Sequence, residues 1–270
     1  MKQAFRSNDR VSLELGANGV AQVRLTRSDK LNALDSAMFE SLIAVGQALF
    51  ETPGLRAVVL AGEGKAFCAG LDLASLSSPG SLGESHLSQR THGNANLVQQ
   101  VALQWRKLPV PVIAAVHGVC FGGGLQIAGG ADIRVVAPDA RLAVMEVKWG
   151  IVPDMGGFAL WRGLVRDDLL RIMTYTAREF TGEEALAHGF ATLVDPHPVA
   201  RATALADAIA QRSPSAVGAA KALFNRAADA SLDEILTAES VAQQRLLGSR
   251  NQREAVASGL ERRPANFVEP

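Results

Sequence analysis

The stretch "VCFGGGLQIAGGADI", Val119 to Ile133, sets three consecutive glycines, Gly122, Gly123 and Gly124, between an apolar run and a short helix. One polar side chain, Gln126, follows among apolar neighbours. A second junction of small residues, "GEGKAFCAGLDL", lies upstream. Each junction follows a buried-type strand. Glycine and alanine at such places expose backbone N–H groups and let a ligand come close. The glycine run also opens a helix, so its free N–H groups carry the positive end of the helix dipole. Side by side, the two junctions would aim two N–H groups at one oxygen, the geometry of an oxyanion hole. The same residue types also build tight strand–helix turns, and composition alone allows either. Other site motifs are absent. "GEGKAF" lacks the spacing of a phosphate-binding loop, and there is neither a GxGxxG after a strand nor a GxSxG elbow.

Strands and helices must hold these junctions. "VSLEL" and "VAQVRL" alternate around "GANG" and predict a hairpin. "LRAVVLAG", "PVIAAVHG" and "ARLAV" predict strands, the first two fully buried. "SAMFESLIAVGQALFE" has helical period with Asp35 or Ser36 as N-cap, and "LVQQVALQWRKL" predicts a helix ended by Pro109 and Pro111. From about residue 197 the pattern changes to alanine-rich amphipathic helices, "PVARATALADAIAQRS", "PSAVGAAKALFNRAAD" and "SLDEILTAESVAQQRLLGS". The division is an α/β core over 1–196 and a helical segment over 197–270 that docks on the core or on a neighbouring subunit. "ASLSSPGSLGESHL" predicts a long loop, functional or mobile, and the stretch Ser75–Leu87 is expected to shape an apolar pocket.

The 270 residues are 48% hydrophobic and 20% charged with zero formal net charge, the composition of a well-packed globule without a nucleic-acid or polybasic membrane footprint. No apolar run reaches the roughly 20 residues needed to cross a bilayer. "MKQAFRSNDR" lacks the apolar region of a signal peptide. The two cysteines, Cys68 and Cys120, sit in apolar segments without metal-site spacing and predict buried free thiols in a reducing compartment. The expectation is a cytoplasmic protein with no metal.

Seven stretches in fixed order carry a resemblance over essentially the whole chain. They are "KLNAL" (30–34), "GKAFCAGLDL" (64–73), "PVIAAVHGVCFGGGLQIAGGADI" (111–133), "MEVKWGIVPDMGG" (145–157), "FTGEEALAHGFATLVDP" (180–196), "AAKALFN" (219–225) and "ERRPANF" (261–267). Together they resemble the crotonase superfamily, the enoyl-CoA hydratases and isomerases. The resemblance implies an α/β fold, a spiral of ββα units with a C-terminal helical trimerisation segment, assembled as a homotrimer or a dimer of trimers. It implies an acyl-CoA substrate whose coenzyme A is part of the substrate, with no separate cofactor.

Residue by residue, the resemblance makes the N–H groups of Leu71 and Gly123 the oxyanion donors. It places Ala69, Asp72 and Leu73 where backbone contacts hold the adenine and pantetheine. Arg262 matches a basic residue that the C-terminal tail brings near the coenzyme's phosphates, and Lys30 is a second candidate for that task. Glu146 falls at the catalytic glutamate, its pKa expected to rise among Val144, Met145, Val147 and Trp149. Gln126 stands where hydratases carry a second glutamate; it can orient a water but cannot exchange a proton with it. Members that only move a double bond work with one carboxylate at the Glu146 position. Asp154, eight residues on, resembles the acid of the dienoyl-CoA isomerase branch, although that branch also has an acid at position 126. An aspartate after proline is also a plausible helix cap. The expected activity is isomerisation of an enoyl- or dienoyl-CoA by Glu146, with or without Asp154. The alternatives are a 2-enoyl-CoA hydratase using Glu146 and a water positioned by Gln126, and a non-catalytic acyl-CoA binder.

Overall fold

The computed structural model describes residues 4–7, 9–76 and 87–269. The loop expected to shape the pocket therefore lies outside the described residues from 77 to 86.

Seven strands form the main sheet in the order β1 (Ala4–Ser7), β2 (Val11–Leu15), β3 (Val20–Leu25), β4 (Ala57–Gly62), β5 (Val112–Val116), β7 (Ile133–Val136) and β10 (Leu193–Val194). The first three pair antiparallel, with the predicted hairpin at β2–β3; the rest run parallel. Every residue of β4 and β5 is buried, because a parallel sheet is covered on both faces. Their side chains alternate between two cores. Val58 and Leu60 pack towards α1 (Ser36–Phe50) and towards α3 (Leu97–Lys107), which follows the one-turn α2 (Leu73–Leu76) in the chain. Ala57, Val59 and Ala61 meet Ala202 and Ala206 of the long helix after β10, Pro198–Ala210. Of the two candidate caps for α1, Asp35 takes the role and accepts the Met38 N–H at 2.9 Å.

The change of pattern at residue 197 is thus a change of secondary structure within one core, since the first helix beyond it forms a layer on the sheet. The helix Pro214–Ala227 is pinned by Lys221, whose buried ammonium donates to the carbonyls of Trp105 and Val110 and to Asp132 at 2.9, 2.8 and 2.7 Å. Three acceptors satisfy its three donors, which is what lets a lysine be buried. The helix Leu232–Leu246 buries no residue, and a further helix, Arg250–Glu261, lies in a stretch where the sequence predicted none.

A smaller sheet of β6 (Val119–Phe121), β8 (Arg141–Ala143) and β9 (Phe180–Thr181) positions the chemistry. The chain leaves β5, reverses through His117 and Gly118, runs along β6 and enters α4 (Gly123–Gly129). It then repeats the step through β7 and β8 into a 3-10 turn, Glu146–Trp149. These are the expected ββα steps. β6 and β8 pair parallel and end level, Phe121 opposite Ala143. On the other side of β6, Cys68 bridges Cys120 in the same sense. Three successive turns therefore stop at one place and deliver Leu71, Gly123 and Glu146. Both cysteines are buried free thiols there, and burial pushes Cys68 up to about 12.

Candidate active site

Leu71 lies in an extended segment bridged to Leu34. The Leu34 N–H donates to the Gly70 carbonyl at 2.8 Å and the Asp72 N–H donates to the Leu34 carbonyl at 3.0 Å. In that pattern the Leu71 N–H points away from Leu34, towards the end of β6. Gly123 is the first residue of α4, where an N–H has no intrahelical acceptor. Neither amide donates to any described residue. Both face a cavity of about 860 Å³, within the range of small-molecule sites.

Each glycine of the run has its own reason. Gly122 has φ +48° and ψ −118°, which a side chain would strain. A Cβ on Gly123 would lie 2.7 Å from Met155 Sδ and 2.8 Å from Leu34 Cδ1, and one on Gly124 would lie 2.5 Å from the Cys68 carbonyl. The run packs α4 against the Cys68 strand while leaving the first amide bare.

Glu146 is 6% exposed. Its Oε1 accepts from Gln126 Nε2 at 2.6 Å, and its Oε2 is buried without a hydrogen-bond partner. Burial raises its carboxyl above the ordinary glutamate value. Hydrogen bonds from its own amide and from Gln126 oppose the rise, and the charge of Asp154 adds to it. The flanking residues contribute unequally. Val144 is buried and Met145 half-buried, but Val147 and Trp149 face outwards, because the 3-10 turn rotates them off the Glu146 side.

A glutamate with a raised value in the folded state contributes stability that is complete below its unfolded value near 4.5 and is lost as pH rises through the folded value. Glu146→Gln, which never ionises, should therefore melt at a higher temperature than the wild type at pH 7. The two melting curves should converge as the pH approaches 4.5. Scanning calorimetry across that range checks this.

Gln126 is 1% exposed and does not lie on a helix surface. Its Oε1 accepts from the N–H groups of Met155 and Gly157, each at 2.9 Å. The amide expected to hold a water is engaged by Glu146 and by these two backbone donors. Asp154 is half-buried on the cavity wall, and burial raises its carboxyl. It is not a helix cap. The next helix, Gly157–Trp161, is capped by Gly156 at φ +90° without any side-chain hydrogen bond.

Ala69, Asp72 and Leu73 line the cavity, as does Lys30. The Ala69 N–H donates to the Leu31 carbonyl at 2.9 Å and the Asp72 N–H to Leu34, so these amides are engaged within the protein. The Asp72 carboxylate pairs with Arg27 at 2.7 Å and accepts the Ala74 N–H, which holds it below the usual carboxylate range. Arg27 also donates to the Ala33 carbonyl at 3.1 Å, clamping the Leu71 segment against residues 31–34. Arg262 does not reach the cavity. It ends the helix Arg250–Glu261 in the left-handed region at φ +54°, and the following tail runs to Gly54 and Arg56 beside the start of β4. The cavity lies beyond that strand's other end.

Sequence reasoning missed the Met155 and Gly157 amides, the Arg27 clamp, and the cavity positions of Val98 and Lys148. "DMGG" carried a signal for one of these, since a Cβ on Gly157 would come within 2.8 Å of Gln126 Oε1.

The sequence model described as enoyl-CoA hydratase/isomerase matches residues 16–270. The mitochondrial Delta(3,5)-Delta(2,4)-dienoyl-CoA isomerase of Rattus norvegicus is 30% identical over 257 residues, covering 92% of this chain and 79% of the relative. The crystal structure of an enoyl-CoA hydratase from Bacillus anthracis superposes with a TM-score of 0.87 at 27% identity, covering 96% of this chain and 98% of the other. That of an enoyl-CoA hydratase from Mycobacterium smegmatis gives 0.84 at 28% identity, covering 95% and 98%.

Proposed function

We propose, from the premise that this chain belongs to the enoyl-CoA hydratase/isomerase family, that it is an isomerase moving a double bond in an enoyl- or dienoyl-CoA. The thioester oxygen sits between the N–H groups of Leu71 and Gly123. Glu146 Oε2 takes a proton from the carbon next to the thioester, and the enolate oxygen gains the two hydrogen bonds as its charge develops. Each such donor is worth roughly 3 kcal/mol when removed from an oxyanion hole. In a 3,5-dienoyl thioester the electrons spread to the far end of the diene. A proton from Asp154 lands there, leaving a 2,4-dienoyl product. The two acids suit these roles because their surroundings differ. Glu146 receives a hydrogen bond from Gln126 that favours its ionised form, whereas Asp154 has hydrogen-bond support only from its own amide.

One observation carries isomerisation over hydration. Hydration needs a water between the side chains at 126 and 146, and here those side chains meet directly at 2.6 Å. The test is turnover of three thioesters, a 2-enoyl-, a 3-enoyl- and a 3,5-dienoyl-CoA. Isomerisation of either of the last two should exceed hydration of the first. Faster hydration would overturn the reading in favour of the hydratase, and retained thioester binding with no turnover of any would favour the binder.

Assembly belongs to the same proposal. Phe224, Leu232, Leu236 and Leu260 expose apolar surface on the C-terminal helices, more than a lone subunit gains from leaving in water. A homotrimer or dimer of trimers would cover it, and Arg262 would act at a neighbour's coenzyme. Light scattering should give at least three subunits; a stable monomer at micromolar concentration would exclude the assembly. The buried free thiols suit a cytoplasmic location.

A further inference from the structure

We infer that Gln126 is a positioning residue: it engages Glu146 Oε1 so that Oε2 alone meets the substrate proton, and it sets the Asp154-bearing segment in register with Glu146. The inference rests on the reading of Glu146 as the base. The amide has no freedom of orientation. Two N–H donors, those of Met155 and Gly157, converge on one of its ends and require an oxygen there. The NH₂ end must then face Glu146, and a flip would set donors against donors and oxygen against oxygen.

The need for such a tie is visible in the chain between the two acids. All six residues from 147 to 152 are exposed, so burial holds little of that stretch in place. Gln126 holds it at both ends, through Glu146 before it and through Met155 and Gly157 after it. Two glycines let this contact close, since a Cβ on Gly122 would lie 3.3 Å from Glu146 Oε1 and one on Gly157 would lie 2.8 Å from Gln126 Oε1.

Two variants separate the two ties. Gln126→Met removes both. Gln126→Glu keeps an oxygen for the two backbone amides but turns a second carboxyl towards Glu146. The charged groups sharing the cavity are Asp154, Asp72, Glu179, Lys30 and Lys148; Asp72 is paired with Arg27 and Glu179 with Arg141. With 3,5-dienoyl-CoA as the probe, Gln126→Met should lower kcat about 10- to 100-fold, the scale of a misplaced reacting group, with KM within about threefold. Its acid limb in the pH–rate profile should move to higher pH, because a hydrogen bond that favours the ionised base is gone. Gln126→Glu should keep its melting temperature near that of the wild type and also show the acid limb at higher pH, since two carboxyls would share a proton.

Variants that melt lower but keep the wild-type kcat and pH profile would show a merely structural glutamine and overturn the proposal. So would a Gln126→Glu enzyme with an unmoved acid limb, which decides the matter even if Gln126→Met fails to fold. A Glu146→Gln enzyme that stays active would instead sink the assignment of the base, a distinct outcome.

Discussion

Glu146→Gln should lower turnover of the preferred thioester by roughly 10²–10⁴-fold, the range contributed by a positioned general base. Thioester affinity should stay within about threefold. The separation follows from the way the site is built. The oxyanion donors are backbone amides of Leu71 and Gly123, and the Arg27 clamp that holds the first of them does not involve Glu146. Glutamine has nearly the same shape, so the cavity keeps its volume and only the proton acceptor is lost. Rates followed through the absorbance of the conjugated product, with calorimetric titration of a non-reactive thioester, would read the two effects separately. A variant that retains more than about a tenth of the wild-type rate, less than roughly 1.4 kcal/mol of barrier, would remove Glu146 from the role of base.

Asp154→Asn should reduce isomerisation of a 3,5-dienoyl-CoA by about 10²-fold while changing that of a 3-enoyl-CoA far less. Only the extended diene needs a proton partner far from the thioester. The aspartate acts here in its protonated, neutral form, which asparagine matches in charge but not in acidity. The acid limb of the residual activity should therefore stay in place, unlike that of the Gln126 variants. The melting temperature should not fall, because Asp154 caps no helix and burial disfavours its charged form. Equal losses on both substrates would assign Asp154 to the common proton abstraction rather than to the far end.

The parts of this site that were legible in the sequence are those where a residue type is demanded locally. Three glycines announce a bare helix start, and strands such as "AVVLAG" announce burial on both faces. The parts that were not legible depend on partners distant in sequence. Gln126 finds its partners 20, 29 and 31 residues away, and two of these are backbone amides that leave no mark on side-chain chemistry. β8 was legible as the strand in "ARLAV", but β6 is three residues long, too short to show a period, and nothing local tells that the two end level. Asp154 had the local features of a cap, but Gly156, with a left-handed conformation available to it, took that position. Arg262 followed a family pattern, and in this chain it ends a helix away from the cavity.

The two backbone amides that hold position 126 ask only for an oxygen, and either a carboxamide or a carboxylate provides one. Glutamine and glutamate codons differ by a single base. A site with one acid at the paired positions 126 and 146 and a site with two are therefore neighbours in mutational space, joined by a step that keeps the anchoring of α4 to the Asp154 segment. A scaffold of this kind can exchange one proton chemistry for another during descent without passing through a sequence that fails to fold.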